Sequence, residues 1–110
     1  MALRKKEIII SPQAEEDLDK IYNYLKQEWG DKTLQNFIIK FNAFLQIISY
    51  HPRIFPYFNK KLNLRKHIVY KKNLIVYKNA RTAIQIVAIF NSFQNPKKLK
   101  QITKQRNTPK

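Results

Sequence analysis

The sequence predicts an α+β domain of order β-αα-βββ, with a helical hairpin packed on one face of a small, mainly antiparallel sheet. Three observations carry that prediction. Apolar residues recur at helical spacing through two consecutive stretches between residues 14 and 48, with the only glycine, Gly30, between them. A short β-branched run precedes the helices. Three apolar runs joined by short polar links follow them.

Glu7–Ile10, reading EIII, predicts the first strand. Ser11 and Pro12 then supply an N-cap and a proline at the first helical position, with Glu15, Glu16 and Asp17 near the positive end of the helix dipole. Ala14, Leu18, Ile21, Tyr22, Leu25 and Trp29 form the apolar stripe of this helix. Gly30 falls where a helix takes its left-handed C-terminal residue, and Asp31 is placed to cap a second helix. The second stripe is Leu34, Phe37, Ile38, Phe41, Phe44, Leu45 and Ile48, and it ends at His51-Pro52 because the residue before a proline avoids the helical region. Ile39 and Ile47 lie off that stripe. Such a surplus predicts a docking groove for a partner helix or strand, or packing against a second copy.

Residues 53–61 read as a loop carrying Pro56 and the aromatics Phe55, Tyr57 and Phe58. Strands follow over Leu64–Tyr70, 74–78 and 83–90, linked by Lys71-Lys72-Asn73 and by Asn79-Ala80-Arg81-Thr82. The last strand is almost continuously apolar apart from Gln85, which suits a strand covered on both faces or lying inside the sheet. Residues 1–96 make one domain, Gln94-Asn95-Pro96 breaks the chain, and 97–110 form a basic tail.

Composition narrows the chemistry. The absence of cysteine excludes disulfides, thiolate zinc sites and cysteine nucleophiles. His51 and His67 have no nearby carboxylates, so no metal site is expected. No Walker loop, GxGxxG, GxSxG or HExxH is present, and no cofactor is expected. No run reaches membrane length, and the N-terminal apolar stretch is too short for a signal peptide, so the expected location is the cytoplasm.

Charge is the strongest signal. All seven acidic residues lie within the first 31 positions, beside five basic ones, and the remaining 79 positions hold 17 Lys or Arg with no acid. Solubilising lysines are normally interspersed with acids. A one-signed surface of this size repels itself and is best matched by an anionic partner, with nucleic acid ahead of an acidic protein or an anionic membrane. The acid-free part cannot supply paired carboxylates or a carboxylate cage for Mg²⁺, so a nuclease built here would work without metal.

The strand, then SPQAEEDLDKIYNYLKQEWG, then a second helix closing in a proline loop, then RK…VYKKNLIVY and IQIVAIFNSFQNPKKL, together resemble the RelE/ParE superfamily of bacterial toxins. The resemblance runs from about Glu7 to Leu99, with A-x-x-D-L, LIVY and Q-N-P as its landmarks. It implies the toxic half of a type II toxin–antitoxin pair, neutralised by a cognate antitoxin. RelE-like members cut mRNA in the ribosome without metal, whereas ParE-like members are similar in fold but poison DNA gyrase. The implied target is therefore either the ribosome and its mRNA or DNA gyrase.

Carried over by motif, Arg65 and His67 fall where RelE-like nucleases present two basic residues on one side of a strand. Arg65 is the candidate for holding a scissile phosphate, and His67 for proton transfer near neutral pH. They are read, with Lys71, as sharing the parity opposite to the apolar core side chains. The nuclease pattern breaks at Leu74, where such enzymes carry arginine, and at Phe93 beyond the last strand. Losing one group that stabilises transition-state charge costs a factor of about 10²–10³ in rate. These departures favour a ParE-like target, with the RelE-like endoribonuclease second and a non-toxic nucleic-acid-binding adaptor third. Lys60, Lys61, Lys66, Lys71, Lys72, Tyr77, Lys97 and Lys98 are the candidate target-binding residues, and Ile39 and Ile47 the candidate antitoxin contacts.

Overall fold

A computed structural model describes residues 4–70 and 72–91. Its elements are β1 (Glu7–Ile10), α1 (Pro12–Trp29), α2 (Asp31–Tyr50), β2 (Tyr57–Asn59), β3 (Leu64–Tyr70), β4 (Asn73–Asn79) and β5 (Ala83–Asn91). The sheet order is β1-β5-β4-β3-β2. β1 runs parallel to β5 and every other neighbouring pair is antiparallel. The helical hairpin lies on one face, giving the expected α+β architecture.

The helix boundaries follow local chemistry. The Ala14 N–H donates to the Ser11 hydroxyl at 3.1 Å, and Pro12 opens α1. Gly30 takes φ 91° and ψ 176°, a backbone region open essentially to glycine alone, and its N–H donates to Leu25 and Lys26. A Cβ there would meet nothing within 4 Å, so the constraint is conformational, not steric. Gly30 is also the N-cap of α2 and offers no side-chain cap; Asp31, expected as the cap, is instead the first residue of the helix. Trp29, expected on the apolar stripe, is 55% exposed at the hairpin tip.

The main core fills the space between hairpin and sheet. Ala14, Leu18, Ile21 and Leu25 of α1 meet Phe37, Phe41, Phe44 and Ile48 of α2 and Ile75, Tyr77, Ile84, Ile86 and Ile89 of the sheet. On the opposite face a second cluster joins Leu64, Leu74, Val76, Val87, Ala88 and Phe90, with Phe58 and Leu62 packed against it. β5 is thus buried on both faces except at Gln85, as its apolar run predicts.

β5 carries a bulge. Val76 pairs with Ala88 and Tyr77 with Ile86, which leaves Val87 as the extra residue. The side-chain alternation resets there, so Ile86 and Ile89 face the helices while Val87, Ala88 and Phe90 face away. β1 pairs with β5 only as far as Ile86. Beyond that point α1 replaces the missing strand. The Ser11 N–H donates to the Ile86 carbonyl, the Ser11 hydroxyl donates to that of Val87 at 3.4 Å, and the buried Asp17 carboxylate accepts from the Ile89 N–H at 3.1 Å.

One expected loop contains a strand. Tyr57–Asn59 forms β2 against β3 in an irregular register.

Candidate functional site

β3 and β4 set the site by their alternation. Leu64 belongs to the far-face cluster, so Arg65 and His67 turn toward the helices, and the exposed Lys66 and Ile68 turn away with Leu64. This reverses the expected parity: Arg65 and His67 share the side of the main core. Their polarity gave the sequence reading its direction, but the loop between α2 and β2 supplies partners that the sequence alone does not display.

Arg65 is 9% exposed. Its Nη1 donates to the Phe55 carbonyl at 2.8 Å and to the Arg53 carbonyl at 3.3 Å, while the guanidinium lies 4.0 Å from the centroid of the Tyr57 ring. Its Nε is buried with no hydrogen-bond partner. His67 stacks between two phenylalanines, its ring 3.9 Å from that of Phe55 and 5.5 Å from that of Phe44. Burial among those rings lowers its pKa below the usual histidine value.

Tyr77, expected to meet a target, is fully buried. Its hydroxyl donates to the Pro52 carbonyl at 2.8 Å. Burial pushes its pKa up to about 12. Together Arg65 and Tyr77 take up three backbone carbonyls of the 51–56 loop, and His67 clamps the loop's Phe55 ring. The three side chains are brought together, and what they grip is the chain itself.

The remaining candidates divide cleanly. Lys60, Lys61, Lys66 and Lys72 are exposed. Lys60 Nζ lies 6.0 Å from the Tyr57 ring, and that ring, 39% exposed, is the accessible aromatic of the basic surface. Its signal in the sequence was its place in a lysine-flanked aromatic run. Ile39 and Ile47 are 65% and 42% exposed on the outer side of α2, with Tyr50 also exposed near the helix end. Leu74 is buried in the far-face cluster. Lys71, Phe93, Lys97 and Lys98, and the tail as a whole, lie outside the described residues.

Among the described residues no helix is long and apolar enough to cross a membrane. Residues 8–96 match the family described as ParE toxin of type II toxin-antitoxin system, parDE. No curated protein sequence matches the chain. Among solved structures, the chromosomal ParDE TA system from P. aeruginosa has a chain similar in fold, with a TM-score of 0.65 at 13% identity, covering 79% of this chain and 96% of that one.

Proposed function

Because this chain belongs to the ParE toxin family of type II toxin–antitoxin systems, we propose that it arrests growth by binding a DNA-gyrase-type target in the cytoplasm and is neutralised by a cognate antitoxin. The observation that carries binding over cleavage is the employment of Arg65 and His67. A phosphate-holding arginine needs free donors, and two of the contacts of this guanidinium are already loop carbonyls. A proton-transfer histidine needs reach to substrate, and this ring is packed between Phe44 and Phe55. The target contacts are assigned to the exposed lysines 60, 61, 66 and 72 and the Tyr57 ring, which Lys60 approaches to 6.0 Å, and to Lys71, Lys97 and Lys98 as the sequence offers them.

The antitoxin contacts Ile39 and Ile47 on the outer face of α2. A partner that covers isoleucines at these exposures removes apolar area from water, which favours binding. Changing both to Asp weakens antitoxin binding by on the order of 1–2 kcal/mol per site and leaves the fold intact, because neither residue is in the core.

Inducing the chain alone in a bacterial host is expected to stop growth, and co-expressing the neighbouring small reading frame to restore it. With purified protein, gyrase is expected to lose supercoiling activity or to accumulate cleaved plasmid. Codon-dependent mRNA cuts on translating ribosomes, abolished by His67→Ala, would overturn the gyrase reading in favour of the endoribonuclease. Salt-dependent nucleic-acid binding with no effect on growth would reduce the chain to an adaptor.

A further inference from the structure

β2 is the last strand in the sheet order, and its first residue, Tyr57, pairs directly with Arg65 of β3. Residues paired in this way turn their side chains to the same face. The buried guanidinium accordingly lies against the Tyr57 ring, 4.0 Å from its centroid. That cation is fixed, because its Nη1 is tied to the carbonyls of Arg53 and Phe55. A cation–π contact with a fixed guanidinium holds the ring in turn, so little rotamer freedom is left to lose on binding.

An aromatic ring has two faces, and Arg65 takes one of them. The residue is still 39% exposed, which leaves the other face and the rim to solvent. Cations flank it. Lys60 Nζ stands 6.0 Å from the ring centroid, and Arg53 and Lys61 are exposed on the segments that enter and leave β2. The chain carries no acid after Asp31 to neutralise them locally in sequence.

We propose that the Tyr57 ring is a stacking platform for an unpaired base of single-stranded nucleic acid, with Arg53, Lys60 and Lys61 meeting the flanking phosphates. A base inside a duplex has both faces covered by its neighbours, so a duplex offers this surface phosphates but no partner for the ring. An acidic protein segment satisfies the lysines alone, because a carboxylate is repelled by the negative face of an aromatic ring. The inference rests on the assignment of the target to this surface and deepens it by naming what the surface takes: an unpaired strand. Bases and phosphates are common to DNA and RNA, and the experiment separates the two.

Titrating the full chain with oligo(dT) or oligo(U) of about 15 nucleotides is expected to shift the Tyr57 ring protons upfield, the mark of a base lying on the ring. Tyr57→Leu keeps the bulk and removes the π-face. It is expected to weaken single-strand binding by about tenfold while duplex binding stays unchanged, and Tyr57→Phe is expected to bind as the parent does. The tighter of the two oligonucleotides identifies the sugar the site prefers, and equal binding assigns recognition to base and phosphate alone. Ring protons that do not move in the parent overturn the platform, as does a Tyr57→Leu variant that binds single strands at full strength. If gyrase is inhibited all the same, the target reading stands and this surface meets protein or duplex. Strand binding without gyrase inhibition or growth arrest keeps the platform and overturns the target reading.

Discussion

Asp17 is 3% exposed, and its carboxylate accepts an N–H from a residue 72 positions further along the chain. A buried donor left unpaired costs the full desolvation of that group, so Asp17→Ala is expected to lower unfolding free energy by about 1–3 kcal/mol. Asp17→Asn keeps an acceptor and is expected to cost less; urea unfolding of both variants measures the difference. His67 gives a pH signature. Its pKa is lowered on folding, so the unfolded chain holds the proton more tightly. The neutral ring's contribution is complete above the unfolded value, about 6.5, and is lost as pH falls from there through the folded value. His67→Phe keeps an aromatic plane between Phe44 and Phe55, and is expected to remove that part of the acid destabilisation. Melting temperatures of parent and variant between pH 5 and 8 check it; parallel curves would show that another group titrates.

Between α2 and β2, the 51–56 loop depends on side chains from elsewhere. Tyr77→Phe frees the Pro52 carbonyl and Arg65→Ala frees those of Arg53 and Phe55, each at a cost of about 1–3 kcal/mol. Both variants are expected to speed proteolysis within the loop while leaving the amides of α1 as protected as before. The same elements show what the sequence could and could not reveal. Both helices were legible because Ser11-Pro12, Gly30 and His51-Pro52 punctuate apolar stripes whose period needs no tertiary information. β2 was not, because three residues between prolines and lysines become a strand only through irregular pairing with β3. The facing of β3 was misjudged because Arg65 and His67 are polar by type and buried by partners, and those partners are backbone carbonyls and rings of a distant loop. Asp17 was read as a dipole residue for the same reason: its acceptor role exists only once β5 arrives.

At the scale of the whole molecule, the charge is unevenly spent. The acids cluster in the first 31 positions, and the exposed Lys60, Lys61, Lys66 and Lys72 have no acid nearby in sequence. If DNA is part of the target, each phosphate neutralised adds about 0.9 to the slope of log affinity against log salt. Lys66→Ala is expected to reduce that slope by about one with little effect on stability; an unchanged slope would remove Lys66 from the contact surface. The parallel pairing of β1 with β5 has a consequence in time. Ser11 and Val87 bond across 76 residues, and a ribosome adding roughly 5–20 residues per second delivers the second of them about 4–15 s after the first. The opening strand of every new molecule therefore waits for its neighbour while the rest is still being made. A nascent chain released before β5 lacks a strand that supplies residues to both clusters, so prematurely terminated products are expected not to complete the fold.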